Sequence, residues 1–264
     1  MAKIFQTSNR FFMQLQYFAG VSGTTGKVML VLTTLLLSVR ALTQVEPTWQ
    51  TNLDQQLTSW ESVKSPAISV AVVKNGQVLY SKSNGMANIH RGLLNDSTTQ
   101  FWIASVTKQF TAAAIYKLVQ HTNLSLSTSI RFLLPELPPL FEPVTIDHLL
   151  HHTSGIRDGF VLTALSKKPQ SAYTNENVLH YLKASKHLNF SPGTRYEYNN
   201  AGYVLLAMAV EKVAGTAFPV YLKDSIFHPL GMHNSYVASS FPLNAKQAEG
   251  YREASGNIYD AYHF

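Results

Sequence analysis

Ser105 and Lys108 stand three residues apart in the run FWIASVTKQF, Phe101 to Phe110, where one charged amine interrupts a largely apolar stretch. Burying an ammonium group without a partner is costly, so this lysine must either reach solvent or be used. On a helix, a separation of three places two side chains on one face, one turn apart and within hydrogen-bond reach. A hydroxyl beside an amine is a nucleophile with a built-in base, and a helix amino end adds N–H groups and positive potential for an oxyanion. The bland alternative is an N-capping serine and a snorkelling surface lysine. Ser-x-x-Lys arises about once by chance in a chain of this length, so the pair alone decides nothing.

Three further segments bear on it: HHTSGI at His151 to Ile156, YNN at Tyr198 to Asn200, and HPLGM at His228 to Met232. His148, His151 and His152 raise a rival idea, since histidines four apart on a helix can share a zinc ion. No acid stands where a His-Glu-x-x-His enzyme places its base, and the chain has no cysteine. Packing and turn-capping are therefore the expected histidine roles. Taken in order, with FWIASVTKQFTAAA and the hairpin before it, these segments resemble the penicillin-recognising serine hydrolases. That superfamily holds the class C β-lactamases, the serine DD-peptidases and esterase-like members. The resemblance runs from about Leu53 to the carboxyl end.

The resemblance implies that Ser105 is the acylated nucleophile and Lys108 the amine that keeps the site electropositive and helps remove the hydroxyl proton. Tyr198 matches the Tyr-x-Asn tyrosine that shuttles protons, and Asn200 the residue that orients Lys108 and the substrate amide. Acyl transfer needs a proton taken from the nucleophile and returned to the departing atom, so two titratable groups must face the serine. Tyr173-Thr174-Asn175 also fits Tyr-x-Asn, but Tyr198 follows a Ser-Pro-Gly turn and opens a buried helix, which fixes it better. Ser154 and Gly155 look architectural, and Glu197 matches no catalytic position. The implied substrate is a β-lactam, a D-amino-acid or peptidoglycan-type peptide, or an ester, and the chemistry requires no cofactor and no metal. One departure stands out: the family's third segment, Lys or His followed by a small residue and glycine, does not occur between Asn200 and Phe264. That strand supplies an oxyanion donor in the family, so the expectation is a serine hydrolase of reduced or no activity, or else a non-catalytic relative that keeps a ligand-binding cleft.

The elements that must hold these residues can be read from periodicity. Trp49 to Val63 has helical spacing, with Leu53, Leu57 and Trp60 on one face. Ile68 to Val73 and Gln77 to Ser81 are strands joined at Asn75-Gly76, a strong hairpin signal. The first is apolar on both faces, which predicts a position inside a sheet covered on both sides. Ser105 to His121 reads as a helix burying Phe110, Ala113, Ala114 and Leu118. Thr145 to His151, Thr174 to His187, Gly202 to Ala214 and Pro219 to Phe227 read as further helices, the fourth of these five stopped by Gly215. The expected fold is α/β of the α+β type, an antiparallel sheet flanked by helices plus an all-helical lobe, with the site between them. Two strands cannot carry a sheet in a domain this size, so either Tyr236 to Phe264 hides others or they are absent.

The 264 residues are 45% apolar, enough for a sizeable core. Of 21 Lys and Arg, four (Lys3, Arg10, Lys27 and Arg40) lie in the first 41 residues, which hold no acid, leaving 17 bases against 15 acids. Nucleic acid is therefore not an expected partner. Lys27, the apolar run Val28 to Val39 and then RALTQ outline a secretory leader, residues 1–41, cleaved after Ala41. A run of twelve residues falls short of the roughly 20 that span a bilayer. Residues 42–264 then form an exported hydrolase domain, incomplete at its carboxyl end, and an uncleaved leader would make the chain membrane-anchored.

Overall fold

Asn75 and Gly76 take φ of 52° and 75°, the left-handed pair that a tight hairpin turn demands. In the computed structural model they join β1 (Ile68–Lys74) to β2 (Gln77–Asn84), paired antiparallel from Ile68 opposite Asn84 to Lys74 opposite Gln77. The structure describes residues 48–62, 64–165, 174–238, 246–255 and 258–262. The leader-like run, Val63 and Tyr173 lie outside them. The chain divides into two units, Met1–Thr58 and Ser59–Phe264. In the first, α1 (Thr48–Leu57) ends where the Thr58 hydroxyl donates to the Asp54 carbonyl at 3.0 Å.

In the second unit the β structure comes in pieces. β3 (Met86–Asn88) pairs with β4 (Leu93–Leu94), and β5 (Gly250–Ser255) with β6 (Ile258–Tyr262). Strands are thus present in the carboxyl-terminal segment, but they pair with each other. That segment is tied back near Gln100: the Gln100 N–H donates to the Lys246 carbonyl at 3.0 Å and the Ala248 N–H to the Gln100 carbonyl at 2.7 Å. The expectation that β1 lies inside a sheet covered on both sides is corrected. Its residues alternate between half-buried and exposed, Val73 is 60% exposed, and among the described residues β2 is its only ladder partner. An apolar run shows that a strand can be covered; it does not supply the neighbour that covers it.

The helical lobe follows. A 3₁₀ turn, Ala104–Thr107, leads into α2 (Lys108–His121). Then come α3 (Ile130–Leu133), α4 (Ile146–Leu150), α5 (Gly159–Leu165), α6 (Asn175–Lys183), α7 (Asn200–Ala214) and α8 (Phe218–Leu222), the last continuing as a π turn over Lys223–Phe227. α2 buries Thr111, Ala114, Ile115 and Leu118, so the expected face is rotated slightly and Ala113 is exposed. α7 is the hub, touching α2, α3, α4, α5, α6 and α8. Its sequence, NAGYVLLAMAVEKVA, is apolar almost all round, as a helix surrounded by others must be. It ends at Gly215 with φ of 66°, which only glycine adopts without strain. Leu205, Leu206, Ala209 and Val210 meet Ile115, Ile130, Phe141, Leu149 and Leu182 in one core. Each Leu, Ile, Val or Phe among them contributes about 1.5–3 kcal/mol when fully buried. The fold is α/β, with antiparallel hairpins beside a helical lobe. No single described helix is long and apolar enough to cross a membrane.

Candidate active site

The nucleophile candidate sits just outside a helix rather than in its first turn. Ala104 has φ of 44°, a left-handed setting that costs a non-glycine residue roughly 1–2 kcal/mol. The chain there bends into the 3₁₀ turn, closed by the Lys108 N–H donating to the Ser105 carbonyl. Ser105 is exposed, whereas Lys108 begins α2 half-buried. Lys108 Nζ donates to Ser105 Oγ at 3.1 Å and to Asn200 Oδ1 at 2.9 Å. The Tyr198 hydroxyl lies 2.7 Å from Ser105 Oγ. Three of the four site residues expected from the sequence, Ser105, Lys108 and Tyr198, thus meet at one hydroxyl, and Asn200 joins them through Lys108.

Tyr198 and Asn200 are placed by the start of α7. Asn199, 3% exposed, is the N-cap: its Oδ1 accepts from the Gly202 N–H at 3.0 Å. Its Nδ2 donates to the Ile156 carbonyl at 2.7 Å. Asn200 gives both its N–H and its Nδ2 to Asp158 Oδ2, at 2.9 and 3.1 Å. Asp158 Oδ1 in turn accepts from the Phe160 N–H at 2.9 Å, capping α5.

The HHTSGI segment is the frame for this arrangement. After α4 the chain reverses through His152 and Gly155, with φ of 57° and 68°. A Cβ on Gly155 would run into the Phe190 carbonyl oxygen, so the segment passes too close to its neighbour for a side chain. Backbone bonds then tie it to the loop before α7: Asn189 N–H to the Gly155 carbonyl at 2.7 Å, Gly193 N–H to Thr153 at 2.8 Å, and Glu197 N–H to His152 at 2.8 Å. The Asn199 N–H donates to His152 Nδ1 at 3.1 Å, and the imidazole packs 4.5 Å from the Tyr198 ring and 5.2 Å from that of Tyr203. Burial, and then the Lys108 charge, hold the His152 pKa below its ordinary value, consistent with a ring that accepts a backbone bond.

Lys108 Nζ also lies 4.8 Å from the Tyr198 ring centroid and 5.4 Å from that of Tyr203. For Tyr198, burial raises the pKa, but hydrogen bonding to Lys108 and Ser105 and the lysine charge outweigh it, and the phenol is held below its usual value. Such a centre can take a proton from a hydroxyl and return it nearby.

The remaining histidines work separately. His148 closes a capping box with Thr145, and His151 Nδ1 stands 3.2 Å from Asp147 Oδ1. Glu197, next to Tyr198 in sequence, turns to Asn189 Nδ2 at 2.7 Å and Arg195 at 3.3 Å. HPLGM closes the π turn, with the Met232 N–H on the Phe227 carbonyl at 2.8 Å. Sequence reasoning missed Asp158 and the stacking role of His152. The first had one local signal, an Asp just before a helix; the second had the HHTSGI string itself, but not the chain crossing that brings Tyr198 onto it.

Comparison with known proteins agrees. A family model described as Beta-lactamase matches residues 51–262. A D-aminopeptidase of Gluconobacter oxydans is 30% identical over 205 residues, covering 74% of this chain and 38% of the relative. A penicillin binding protein from Bacillus halodurans superposes with a TM-score of 0.67 at 32% identity, covering 79% of this chain and 64% of that one. The D-amino acid amidase of Ochrobactrum anthropi superposes at 0.63 with 26% identity, covering 77% and 59%. The chain thus spans well under half of the curated D-aminopeptidase.

Proposed function

Because the chain belongs to the beta-lactamase family, we propose that it is a serine hydrolase working through an acyl-enzyme on Ser105, with a β-lactam, a D-amino-acid amide or peptide, or an ester as substrate. The observation that carries this reading is the convergence of Lys108 Nζ and the Tyr198 hydroxyl on Ser105 Oγ, at 3.1 and 2.7 Å. The ammonium donates to one lone pair of Oγ, which leaves the serine able to point its own proton at the tyrosine oxygen. With Tyr198 as phenolate, that proton passes to it as Oγ bonds the substrate carbonyl carbon. The tetrahedral intermediate then collapses, the C–N or C–O bond breaks, and Tyr198 returns the proton to the leaving atom. Water enters by the same path in reverse: Tyr198 takes its proton as the water oxygen bonds the acyl carbon, the acyl–Oγ bond breaks, and Tyr198 passes that proton back to Ser105 Oγ. Lys108 holds positive charge beside the reacting oxygens throughout. The D-aminopeptidase and D-amino acid amidase among the relatives support substrates with a D-configured amine.

A second reading is a cleft that binds such ligands without turning them over. The leader-like run Val28–Val39 supports an exported protein. The test is labelling with a fluorescent penicillin and a fluorophosphonate, followed by peptide mass spectrometry. A covalent adduct on Ser105, absent in Ser105→Ala, is expected; an unlabelled Ser105 with ligand still bound selects the second reading.

A further inference from the structure

Among the described residues, Asp158 is the charged side chain that touches the centre through Asn200 and that the proton path leaves without a task. We propose that Asp158 is a positioning residue, its carboxylate setting the rotamer of the Asn200 amide and, through it, the place of the Lys108 amine. The catalytic half of this inference rests on the acyl-transfer reading; the geometric half does not.

An asparagine amide has a donor end and an acceptor end of nearly equal shape, and only its partners decide which way it faces. Asn200 Nδ2 lies 3.1 Å from Asp158 Oδ2, and Asn200 Oδ1 lies 2.9 Å from Lys108 Nζ. Turning the amide over would set an NH₂ against an ammonium and a carbonyl oxygen against a carboxylate, two repulsive contacts in place of two charge-assisted bonds. The carboxylate is itself fixed. Oδ2 also accepts the Asn200 backbone N–H at 2.9 Å, and Oδ1 accepts the Phe160 N–H at 2.9 Å. One side chain thereby joins the start of α5 to the start of α7, and its charge faces an ammonium relayed through a neutral amide. The order is Asp158, Asn200, Lys108, Ser105, with Tyr198 on the far side of the nucleophile.

A merely structural Asp158 would cap α5 and do no more. Asp158→Ser separates the two roles, because serine keeps an oxygen for the Phe160 N–H but loses the second oxygen that holds Asn200. The full chain, Asp158→Asn, Asp158→Ser, Asn200→Ala and the Asp158→Ser/Asn200→Ala double variant are compared in two measurements. The first is the rate at which a fluorophosphonate labels Ser105; the second is the side-chain amide proton pair of Asn200 in ¹⁵N-resolved NMR spectra. Both Asp158 variants are expected to slow labelling by about tenfold or more, the effect of losing a hydrogen bond to a charged group. The double variant is expected to label no more slowly than Asn200→Ala, since the aspartate acts only through that amide. The Asn200 amide pair should lose the downfield position that a carboxylate acceptor gives it. Wild-type labelling in Asp158→Ser, losses that multiply in the double variant, or an unmoved amide pair would each overturn the proposal. If the wild-type chain takes no label at all, the acyl-transfer reading falls, and the amide signal still decides whether Asp158 orients Asn200.

Discussion

Ser105 carries one proton and has two neighbours, and the direction of the Lys108 bond decides which neighbour receives it. The ammonium can only donate, so of the two only Tyr198, as phenolate, can take that proton. Tyr198→Phe is therefore expected to slow Ser105 acylation on the order of 10²–10⁴-fold, measured by stopped-flow with a fluorophosphonate. In the wild-type chain the rate should rise with pH through an apparent pKa below the ordinary tyrosine value of about 10, because the lysine and serine bonds outweigh burial. That limb should vanish in the Phe variant. At this scale the sequence was informative through the resemblance its segments carry: the spacing of Ser105 and Lys108 alone decided nothing, and the Ser-Pro-Gly turn served to prefer Tyr198 over Tyr173. Asp158 was not legible, because 42 residues separate it from Asn200 and only the folded chain brings them together.

The helix starts hold the chemistry in place, and α7 does most of it. Asn199 bonds its own helix through Gly202 and the HHTSGI frame through Ile156, while almost fully buried. Asn199→Ala removes a cap and leaves the Ile156 carbonyl without its donor, an expected loss of about 1–3 kcal/mol, read as a lower urea midpoint. Asn199→Ser, which can still cap, should recover part of it. Elements with long periodic runs were legible: the β1–β2 hairpin at Asn75-Gly76 and α7 with its stop at Gly215 fall where the pattern puts them. The short helices α3 and α5, of four and seven residues, did not register, since so few turns show no period. Three named α2 contacts, Phe110, Ala114 and Leu118, do face the core, but Ala113 does not.

For the molecule as a whole, His152 couples the frame to pH. Its folded pKa lies below the unfolded one, so the unfolded chain binds the proton more readily between the two. Its contribution is fully present above the unfolded value of about 6.5 and is lost as pH falls through the depressed folded pKa. Urea midpoints measured from pH 8 downward should decline across that window, and less steeply in His152→Gln. The helical core was foreseeable because its apolar residues recur at helical spacing, whereas the arrangement of strands was not. Pairing depends on residues far apart in sequence, and the run Ile68–Val73 does not itself say that, among the described residues, it pairs with β2 alone. Tyr198, Asn199 and Asn200 are consecutive, yet one grips the nucleophile, the next the frame and the third the amine. Slippage of a single residue there would release all three together, so the nucleophile, the frame and the amine share one anchorage at the start of α7.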